Sequence, residues 1–243
     1  MKGIVLAGGL GSRLRPLTQI TNKHLLPIYN KPMVYYPIEM LVDAGITDIL
    51  LVTGGNSAGD FFRLIRNGEE FGLSRMHYAY QRGEGGIAEA LGLAREFVGN
   101  DRMVVVLGDN ILENGIKEAV AAFLEQPSGA RILLKEVDHP REYGIAEIQG
   151  GQIRRIIEKP EQPPSNLAVI GVYMYGADVF EIIDGLTPSE RNELEITDVN
   201  NAYLGRGELM YDLVEGWWLD AGENHAGLLK ANLTVARHNG VEI

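Results

Sequence analysis

The chain has 243 residues, and 45% of them are hydrophobic, which is enough to bury the core of one globular α/β domain. Its 22 basic and 33 acidic side chains give a net charge of −11, which argues against a general nucleic-acid binder because such a protein needs a basic face. It contains no cysteine, so disulfide bonds and thiolate metal sites are excluded, and this composition fits a cytoplasmic protein. We expect no membrane span and no signal peptide, because no apolar run approaches ~20 residues and no cleavable leader pattern precedes the first strand.

The first predicted element is a buried parallel strand over residues 4–7, and a glycine-rich turn follows it. The glycines of this turn are Gly8, Gly9 and Gly11. Glycine lets a ligand approach the backbone closely, so such a turn can aim several N–H groups at a phosphate. Arg13 adds a guanidinium fork that suits phosphate oxygens, and Lys23 adds a more mobile positive charge. The glycines alone are equally compatible with a tight β-turn that carries a surface arginine.

This turn differs from the two commonest phosphate-binding patterns. No Gly-Lys-Ser/Thr sequence closes it, so it is not a P-loop. Arg13 and Leu14 stand where a dinucleotide fingerprint needs its third glycine. We therefore exclude a P-loop and disfavour a dinucleotide-dependent oxidoreductase.

Strands and helices alternate through the rest of the first half. A helix is predicted over residues 31–44, with proline in its first turn and Gly45 just beyond its end. Ser57 and Asp60 have the spacing of a capping box for a helix that runs to Arg66. The remaining elements are strands over 47–53, 76–80, 103–107 and 131–137, and helices over 86–97 and 116–124. This alternation predicts an α/β, Rossmann-like fold with a mostly parallel central sheet flanked by helices.

The second half is less regular. Segments 144–148 and 153–157 flank a Gly-Gly turn and predict a hairpin, and strands are expected over 168–175 and 208–214. Helices are expected over 177–183, 197–204 and 223–239. We find no linker composition, so we predict one domain over residues 1–243, made of a regular part (about 1–125) and a less regular part (about 126–243).

Two aspartates follow apolar segments that lie far apart in the sequence. Asp109 comes just after the strand over 103–107, at the strand end where open α/β sheets bind their ligands. Asp220 ends the apolar stretch that begins at Trp217. Mg²⁺ prefers one or two protein carboxylates together with phosphate oxygens. The plainer alternatives are a Gly-Asp-Asn turn for Asp109 and a helix N-cap for Asp220, and the sequence does not show that the two aspartates converge.

Three further polar residues stand at strand ends. Gln81 offers both a hydrogen-bond donor and an acceptor, so it can match the edge of a pyrimidine. Glu158 suits sugar hydroxyls, and Lys159 suits a phosphate. Taken alone, Gln81 is more typical of an exposed loop, and the Glu158–Lys159 pair is typical of a solvated strand end.

The first 33 residues also carry a longer pattern. Gly8-Gly9-x-Gly11-Ser12-Arg13-Leu14, then Pro16, Lys23, Leu26-Pro27 and Lys31-Pro32-Met33, resembles the sugar-1-phosphate nucleotidyltransferases. The similarity recurs along nearly the whole chain. It implies transfer of a nucleotidyl group from dTTP to glucose 1-phosphate, which gives dTDP-glucose and pyrophosphate, with Mg²⁺ as cofactor. Products of this family usually enter deoxysugar synthesis.

The resemblance assigns roles to individual residues. It implies that residues of the first half bind the nucleotide: Leu6, Gly8, Gly9, Gly11, Ser12, Arg13, Lys23, Gln81, Gly86 and Asp109. It implies that residues of the second half bind the sugar phosphate: Tyr143, Gly144, Glu158, Lys159, Val169, Tyr173 and Arg191. Asp109 and Asp220 match the metal aspartates of the family, and the catalytic set is Arg13, Lys23, Asp109 and Lys159.

The chain departs from the family pattern at two of these segments. Relatives usually have glutamine at the position of Glu89, so a negative charge is added if Glu89 lines the nucleotide pocket. Relatives often have glycine at the position of Asn192. The sequence also stops after one C-terminal helix, so we expect it to lack the additional helices that form a regulatory site and subunit contacts in longer relatives.

Three other functions remain open at this point. Uridylyl transfer is the alternative within the enzyme class. A catalytically silent nucleotide-sugar sensor would keep the pocket, although the intact set of basic and acidic residues disfavours it. An oxidoreductase is disfavoured by the glycine pattern and by the lack of an acidic residue at the end of the second strand. We expect no nucleic acid or membrane as a partner, and a homo-oligomer is compatible with the sequence.

Overall fold

A computed structural model describes residues 1–242. The strands are β1 (Lys2–Ala7), β2 (Pro27–Ile28), β3 (Lys31–Pro32), β4 (Asp48–Gly54), β5 (Arg75–Gln81), β6 (Met103–Leu107), β7 (Asn110–Leu112), β8 (Ala130–Glu136), β9 (Gly144–Gln149), β10 (Gln152–Glu158), β11 (Leu167–Tyr175), β12 (Leu209–Leu213) and β13 (Trp218–Asp220). The α-helices are α1 (Tyr35–Asp43), α2 (Ala58–Ile65), α3 (Ile87–Gly92), α4 (Arg95–Val98), α5 (Lys117–Glu125), α6 (Val179–Asp184), α7 (Ile196–Gly205) and α8 (His225–His238).

Four parallel strands in the order β6-β1-β4-β5 form the centre of the fold. Successive residues of a strand point to opposite faces, so Ile4 and Leu6 pack into one apolar cluster while Val5 and Ala7 pack into another. Helices α3, α6 and α7 cover the first face, and α1, α2 and α5 cover the second. Each large aliphatic side chain buried in these clusters contributes about 1.5–3 kcal/mol, which explains why the central strands are almost wholly apolar.

Strand β11 joins this parallel array to the rest of the sheet. Its residues 172–175 pair antiparallel with β6, whereas Ala168 faces Ile145 of β9 on the same side. Along its other side it pairs with β8, and the register is irregular between Val169 and Tyr173. Beyond these neighbours, β12 extends the sheet next to β8 and β10 extends it next to β9. Within residues 1–242 nine strands thus form one sheet that is parallel at its centre, and the predicted fold class is confirmed.

Two short strand pairs lie outside this sheet. Strand β13 pairs antiparallel with β7, and β2 pairs with β3. Helix α8 packs on both pairs in a third apolar cluster that includes Leu219, Ala231 and Val235. The chain after residue 217 therefore returns to the strand that follows Asp109.

Several predicted element boundaries need correction. The helix predicted over 31–44 begins only at Tyr35, because Lys31–Pro32 pairs with Pro27–Ile28 as β3. Ser57 makes no side-chain cap of α2, and Asp60 forms an ion pair with Arg63 instead. The helix predicted over 86–97 is two helices, α3 and α4. Strands β7 and β13 were not anticipated, since each has only three residues.

Among residues 1–242, no helix combines the length and the apolar character needed to cross a membrane.

Candidate active site

The order of the central strands determines where a ligand site can form. Strand β1 has β4 on one side and β6 on the other, so the order in which strands are added to the sheet reverses at β1. Open α/β sheets bind ligands at such a point, beyond the carboxyl ends of the strands. The glycine turn after β1 and the turn that carries Asp109 after β6 lie there side by side, joined by the hydrogen bond that Gly108 N donates to the carbonyl of Leu6 at 2.8 Å.

Lys23 and Asp109 form an ion pair at this strand end. The Lys23 ammonium donates to Asp109 Oδ2 at 2.5 Å, and Asp109 is buried. The aliphatic part of Lys23 lies along the glycine turn, because its Cε is 3.8 Å from the position of a Cβ on Gly9. Lys23 therefore presents a positive charge between the turn and the Asp109 carboxylate.

His24 lies buried beside this pair, although no motif in the sequence singles it out. Its Nδ1 is 2.7 Å from Asn22 Oδ1, and its Nε2 is 3.9 Å from Asp109 Oδ2. Burial, together with the charge of Lys23, lowers the pKa of His24 to about 3, so its imidazole is neutral near pH 7. A neutral imidazole fills this space without adding charge to the Lys23–Asp109 pair.

Asp220 reaches the same place from the far end of the chain. It stands opposite Asn110 in the β7–β13 pair, and the backbone N–H of Ala221 donates to the carbonyl of Asp109 at 2.9 Å. Burial, and then the negative charge of Asp109, raises the pKa of Asp220. The glycine at position 222 lets this segment pass close to Asp109. Any Cβ on Gly222 would collide with the Asp109 carboxylate and lie 2.8 Å from Lys23 Nζ.

The donor set at Asp109 and Asp220 fits a divalent cation that has other ligands besides protein. The carboxylates of buried Asp109 and half-buried Asp220 share the space, and burial and the negative charge of Asp109 raise the pKa of Asp220, although the charge of Lys23 partly offsets this effect. Residues 1–242 contain no group of three or more carboxylate or imidazole side chains able to hold a metal ion. Mg²⁺ is bound by one or two carboxylates with phosphate oxygens and water, and such a pair can provide that part.

A first cavity of about 250 Å³ opens above β1 and β5. Seven of the residues assigned to nucleotide binding line it: Leu6, Gly8, Gly9, Lys23, Gln81, Gly86 and Asp109. Gly11, Ser12 and Arg13 lie outside its lining, in the turn that follows. Arg13 is exposed and forms no ion pair with a carboxylate in residues 1–242, so its guanidinium is open to an anion that enters this cavity.

Gln81 occupies the inner wall of the first cavity and is buried. Its Nε2 donates to the carbonyl of Gly86 at 3.3 Å and to Glu89 Oε1 at 3.1 Å. Gly86 has φ +98°, a conformation that favours glycine, and a Cβ there would lie 2.5 Å from the carbonyl oxygen of Leu194. Glu89 thus contacts the side chain of Gln81 and is not among the residues that line this cavity.

A second cavity of about 160 Å³ lies between β11, β10 and α7. All of the residues assigned to the sugar phosphate line it: Tyr143, Gly144, Glu158, Lys159, Val169, Tyr173 and Arg191. Asp220 lines it as well, whereas Asp109 lines the first cavity. Ile87, Leu107 and Glu193 border both cavities, so the two are neighbours and the aspartate pair stands at their junction.

Glu158 is fixed in this second cavity by a buried hydroxyl. Thr197 donates to Glu158 Oε2 at 2.5 Å, and a Cβ on Gly144 would lie 3.2 Å from the same oxygen. Lys159 follows with φ +41°, a region that non-glycine residues rarely adopt. Such backbone conformations concentrate at functional sites, where the surrounding structure holds them.

Arg191 reaches the second cavity from the loop before α7 and is surrounded by carboxylates. Its NH2 group is 2.7 Å from Glu195 Oε2, 3.2 Å from Glu158 Oε1 and 3.4 Å from Glu193 Oε2. The next residue, Asn192, has φ +60°. Asparagine tolerates this conformation better than most residues and glycine tolerates it freely, so Asn192 fits the backbone at a position where the resemblance leads us to expect glycine.

Sequence reasoning missed several residues that shape the site. Asn110 accepts from Gly171 N at 2.9 Å and from Trp218 Nε1 at 2.7 Å, so it ties β7 to β11 and β13. Its position next to Asp109 is the signal that could have indicated it. His24 lies next to Lys23 in the chain and Thr197 lies shortly after Arg191, but nothing in the sequence distinguishes them from ordinary polar residues.

Residues 2–238 match the protein family described as Nucleotidyl transferase. The low-salt glycan biosynthesis nucleotidyltransferase Agl11 of Haloferax volcanii is 43% identical over 237 residues, which are 97% of this chain and 66% of that protein. A glucose-1-phosphate thymidylyltransferase of Actinoplanes sp. is 44% identical over 225 residues, with 91% of this chain and 74% of that protein covered.

A solved structure from Bacillus anthracis, assigned as a glucose-1-phosphate thymidylyltransferase and complexed with sucrose, has a TM-score of 0.93. It is 50% identical, and the match covers 100% of this chain and 97% of that one. This chain spans just under two thirds of the length of the Haloferax relative. It belongs to the nucleotidyl transferase family.

Proposed function

We propose that this chain transfers a thymidylyl group from dTTP to glucose 1-phosphate, giving dTDP-glucose and pyrophosphate. The observation that carries the proposal is the junction of the two cavities at Asp109 and Asp220. Nucleotidyl transfer joins two phosphorylated substrates, and this arrangement offers each of them its own cavity and a shared point of contact. The names of the Actinoplanes and Bacillus relatives support this substrate pair.

The reaction is an in-line displacement at phosphorus. A phosphate oxygen of glucose 1-phosphate attacks the α-phosphorus of dTTP, the bond to the β-phosphate oxygen breaks, and pyrophosphate leaves. The sugar phosphate is already ionised at neutral pH, so the attack needs no general base and no covalent enzyme intermediate. The protein has to position two anions that repel each other and to stabilise the charge on the transferring group.

The first cavity would hold dTTP. Lys23 and Arg13 would bind its phosphate chain and the departing pyrophosphate, because both present positive charge at the turn after β1. Gln81 and Gly86 would contact the base at the inner end of the cavity. Leu6 and the glycines Gly8, Gly9 and Gly11, with Ser12, would provide the floor and the backbone around the nucleotide.

The second cavity would hold glucose 1-phosphate. Glu158 would accept hydrogen bonds from sugar hydroxyls, while Lys159 and Arg191 would bind the phosphate. Val169, Tyr173 and Tyr143 form the remaining wall, and Gly144 leaves room beside the Glu158 carboxylate. Because Arg191 contacts three carboxylates, phosphate binding would exchange at least one of these contacts for a phosphate oxygen.

Asp109 and Asp220 would hold Mg²⁺ at the junction. When bound, the ion neutralises charge on the reacting phosphates and orients them. We propose further that residues 1–243 act as one domain, in which the part to about residue 125 binds the nucleotide and the rest binds the sugar phosphate. Cytoplasmic location remains part of this proposal.

Pyrophosphate release tests this function directly. Purified protein with glucose 1-phosphate and Mg²⁺ would be assayed with dTTP, UTP, ATP, CTP and GTP in parallel. We expect strong release with dTTP and weaker release with UTP. Release with another triphosphate only would contradict the thymidylyl assignment, and nucleotide binding without any release would favour a sensor that does not catalyse the reaction.

A further inference from the structure

The amide group of Gln81 is bonded on one side by two groups that can only accept. Its Nε2 donates to Glu89 Oε1 at 3.1 Å and to the carbonyl of Gly86 at 3.3 Å. An ionised carboxylate and a backbone carbonyl have no proton to donate. If the amide were turned over, its oxygen would face both of these acceptors and would be repelled, so the nitrogen stays on the Glu89 side.

Glu89 is itself held firmly in place. It lies in the first turn of α3, where a negative charge interacts favourably with the helix N-terminus. Its carboxylate rests directly on Gly85, where any Cβ would collide with it. The carboxylate therefore has little freedom to leave the Gln81 amide.

The oxygen of the Gln81 amide consequently faces the glycine turn that lines the first cavity. A Cβ on Gly8 would lie 2.5 Å from Gln81 Oε1, so this oxygen is next to the glycine turn that lines the cavity. No group in residues 1–242 donates a hydrogen bond to it, although the nitrogen of the same amide has two partners. The cavity is therefore lined at this point by a free acceptor with a fixed orientation.

We infer that Glu89 is a positioning residue that makes Gln81 an obligate acceptor and thereby selects bases with a ring N–H at the matching edge. This inference rests on the proposed function, because it takes the occupant of the first cavity to be a pyrimidine nucleotide. Thymine and uracil carry N3–H, which donates to such an acceptor. Cytosine has an unprotonated N3 at the same position, and its lone pair would face the lone pairs of Gln81 Oε1.

A glutamine at position 89 would weaken this constraint, since the carbonyl of Gly86 would then be the one remaining partner of the Gln81 amide, among residues 1–242, that can only accept. Its own amide could turn to present either an oxygen or an N–H to Gln81, so Gln81 could offer the cavity an acceptor or a donor. Glu89→Gln is nearly isosteric and should preserve the packing on Gly85. Thymine and uracil share the N3–H edge and differ at the 5-methyl group, so the choice between them should not depend on Glu89.

The test compares dTTP with dCTP, which share the same sugar and phosphates. We would measure kcat/KM for each, and for UTP, with saturating glucose 1-phosphate in the wild type, Glu89→Gln and Glu84→Gln. Glu84 is the matched control, because its carboxylate lines the same cavity but contacts the backbone N–H of Leu10 instead of Gln81. Binding of dTMP and dCMP by calorimetry gives a second readout that requires no turnover.

We expect Glu89→Gln to lower the dTTP-to-dCTP preference by about tenfold, in kinetics and in binding, since a mismatched polar pair in a buried site has an effect of this order. The dTTP-to-UTP preference should stay within about twofold in the same variant. Glu84→Gln should leave both preferences unchanged. A wild type that binds both pyrimidines but releases no pyrophosphate would refute the proposed function while the dTMP and dCMP affinities still decide the role of Glu89.

Three results would overturn the inference. The first is a dTTP-to-dCTP preference in Glu89→Gln that equals the wild-type value. The second is an equal change in Glu84→Gln, which would indicate the loss of charge rather than amide orientation. The third is a wild type that does not distinguish dTMP from dCMP.

Discussion

Asp220 stands directly opposite Asn110 across the β7–β13 pair, and its carboxyl group consequently lies near that of Asp109, the preceding residue. Burial and the charge of Asp109 raise the pKa of Asp220. Two carboxylates are thus held together in a space that provides one lysine ammonium, from Lys23. The two carboxylates lie close together because β7 and β13, each three residues long, pair with one another. The first prediction concerns these two aspartates.

Asp109→Asn and Asp220→Asn should each reduce kcat by about a hundredfold or more, because each removes charge from the site proposed to hold Mg²⁺. Turnover measured against Mg²⁺ concentration should show a higher requirement in both variants. Asp184→Asn is the control, since Asp184 forms an exposed ion pair with Arg95 on the surface. Wild-type turnover of Asp109→Asn or Asp220→Asn at ordinary Mg²⁺ concentration would show that the pair does not hold the metal.

Lys159→Gln should raise KM for glucose 1-phosphate by about tenfold or more, since it removes the charge-assisted bond to phosphate that we propose for Lys159. KM for dTTP should change much less, because Lys159 lines the second cavity alone. Lys117→Gln, on the exposed face of α5, controls for the loss of one positive charge. An equal rise of the two KM values in Lys159→Gln would contradict the assignment.

Asn192 provides a prediction about stability. Its φ of +60° is readily adopted by glycine and strains most other residues. We expect Asn192→Ala to lower the free energy of unfolding by about 1 kcal/mol, and Asn192→Gly to change it by less than about 0.5 kcal/mol. Urea denaturation at 25 °C measures both values. Equal losses in the two variants would mean that a side-chain contact of Asn192, and not its backbone conformation, determines the effect.

The hydroxyl of Tyr36 should make the stability of the protein depend on pH in the alkaline range. Its hydroxyl donates to the carbonyl of Ile28 at 2.7 Å, and burial, with the charge of Glu39, raises the pKa of Tyr36 to about 12. In the unfolded chain the phenol ionises near pH 10, so the folded state retains more protons between these values and loses stability as the pH rises. Tyr36→Phe should be less stable than the wild type by about 1 kcal/mol at pH 8.

The difference in the free energy of unfolding between Tyr36→Phe and the wild type should become smaller as the pH rises from 10 to 12. Urea denaturation at several pH values in this range measures it, and the other tyrosines serve as an internal control because both proteins contain them. A difference that is constant over this range would contradict the role assigned to the Tyr36 hydroxyl.

The central strands and most helices could be predicted from the sequence because their side chains face a core on one or both sides. The apolar runs of β1, β4 and β6 and the alternation of strands with helices depend on local composition alone. The start of α1 could not be predicted, since it depends on the pairing of Lys31–Pro32 with Pro27–Ile28. The predicted cap of α2 is absent as well, and the Asp60 carboxylate that would have completed it forms a local ion pair with Arg63.

The candidate site shows the same division. Asp109 could be singled out because it follows a buried strand, whereas the approach of Asp220 depends on a three-residue strand pair that has no periodic signal. Glu89 could be flagged as a difference from relatives, but its contact with Gln81 depends on how α3 is placed against β5. Tertiary pairing of this kind requires the assembled fold.

The change of partner along β11 has a consequence for how this protein tolerates insertions. Between Ala168, opposite β9, and Val172, opposite β6, the strand has no neighbour on that side, and Gly171 N binds the side chain of Asn110 instead. We call this unpaired part of β11, between residues 168 and 172, the seam. The second cavity lies over the seam, so its floor is a strand and not a surface loop. Loops at the rim that carry no residue of the site can therefore lengthen or shorten without disturbing this floor. One residue gained or lost within the seam would turn the inward-facing side chains of the strand outward and abolish the cavity.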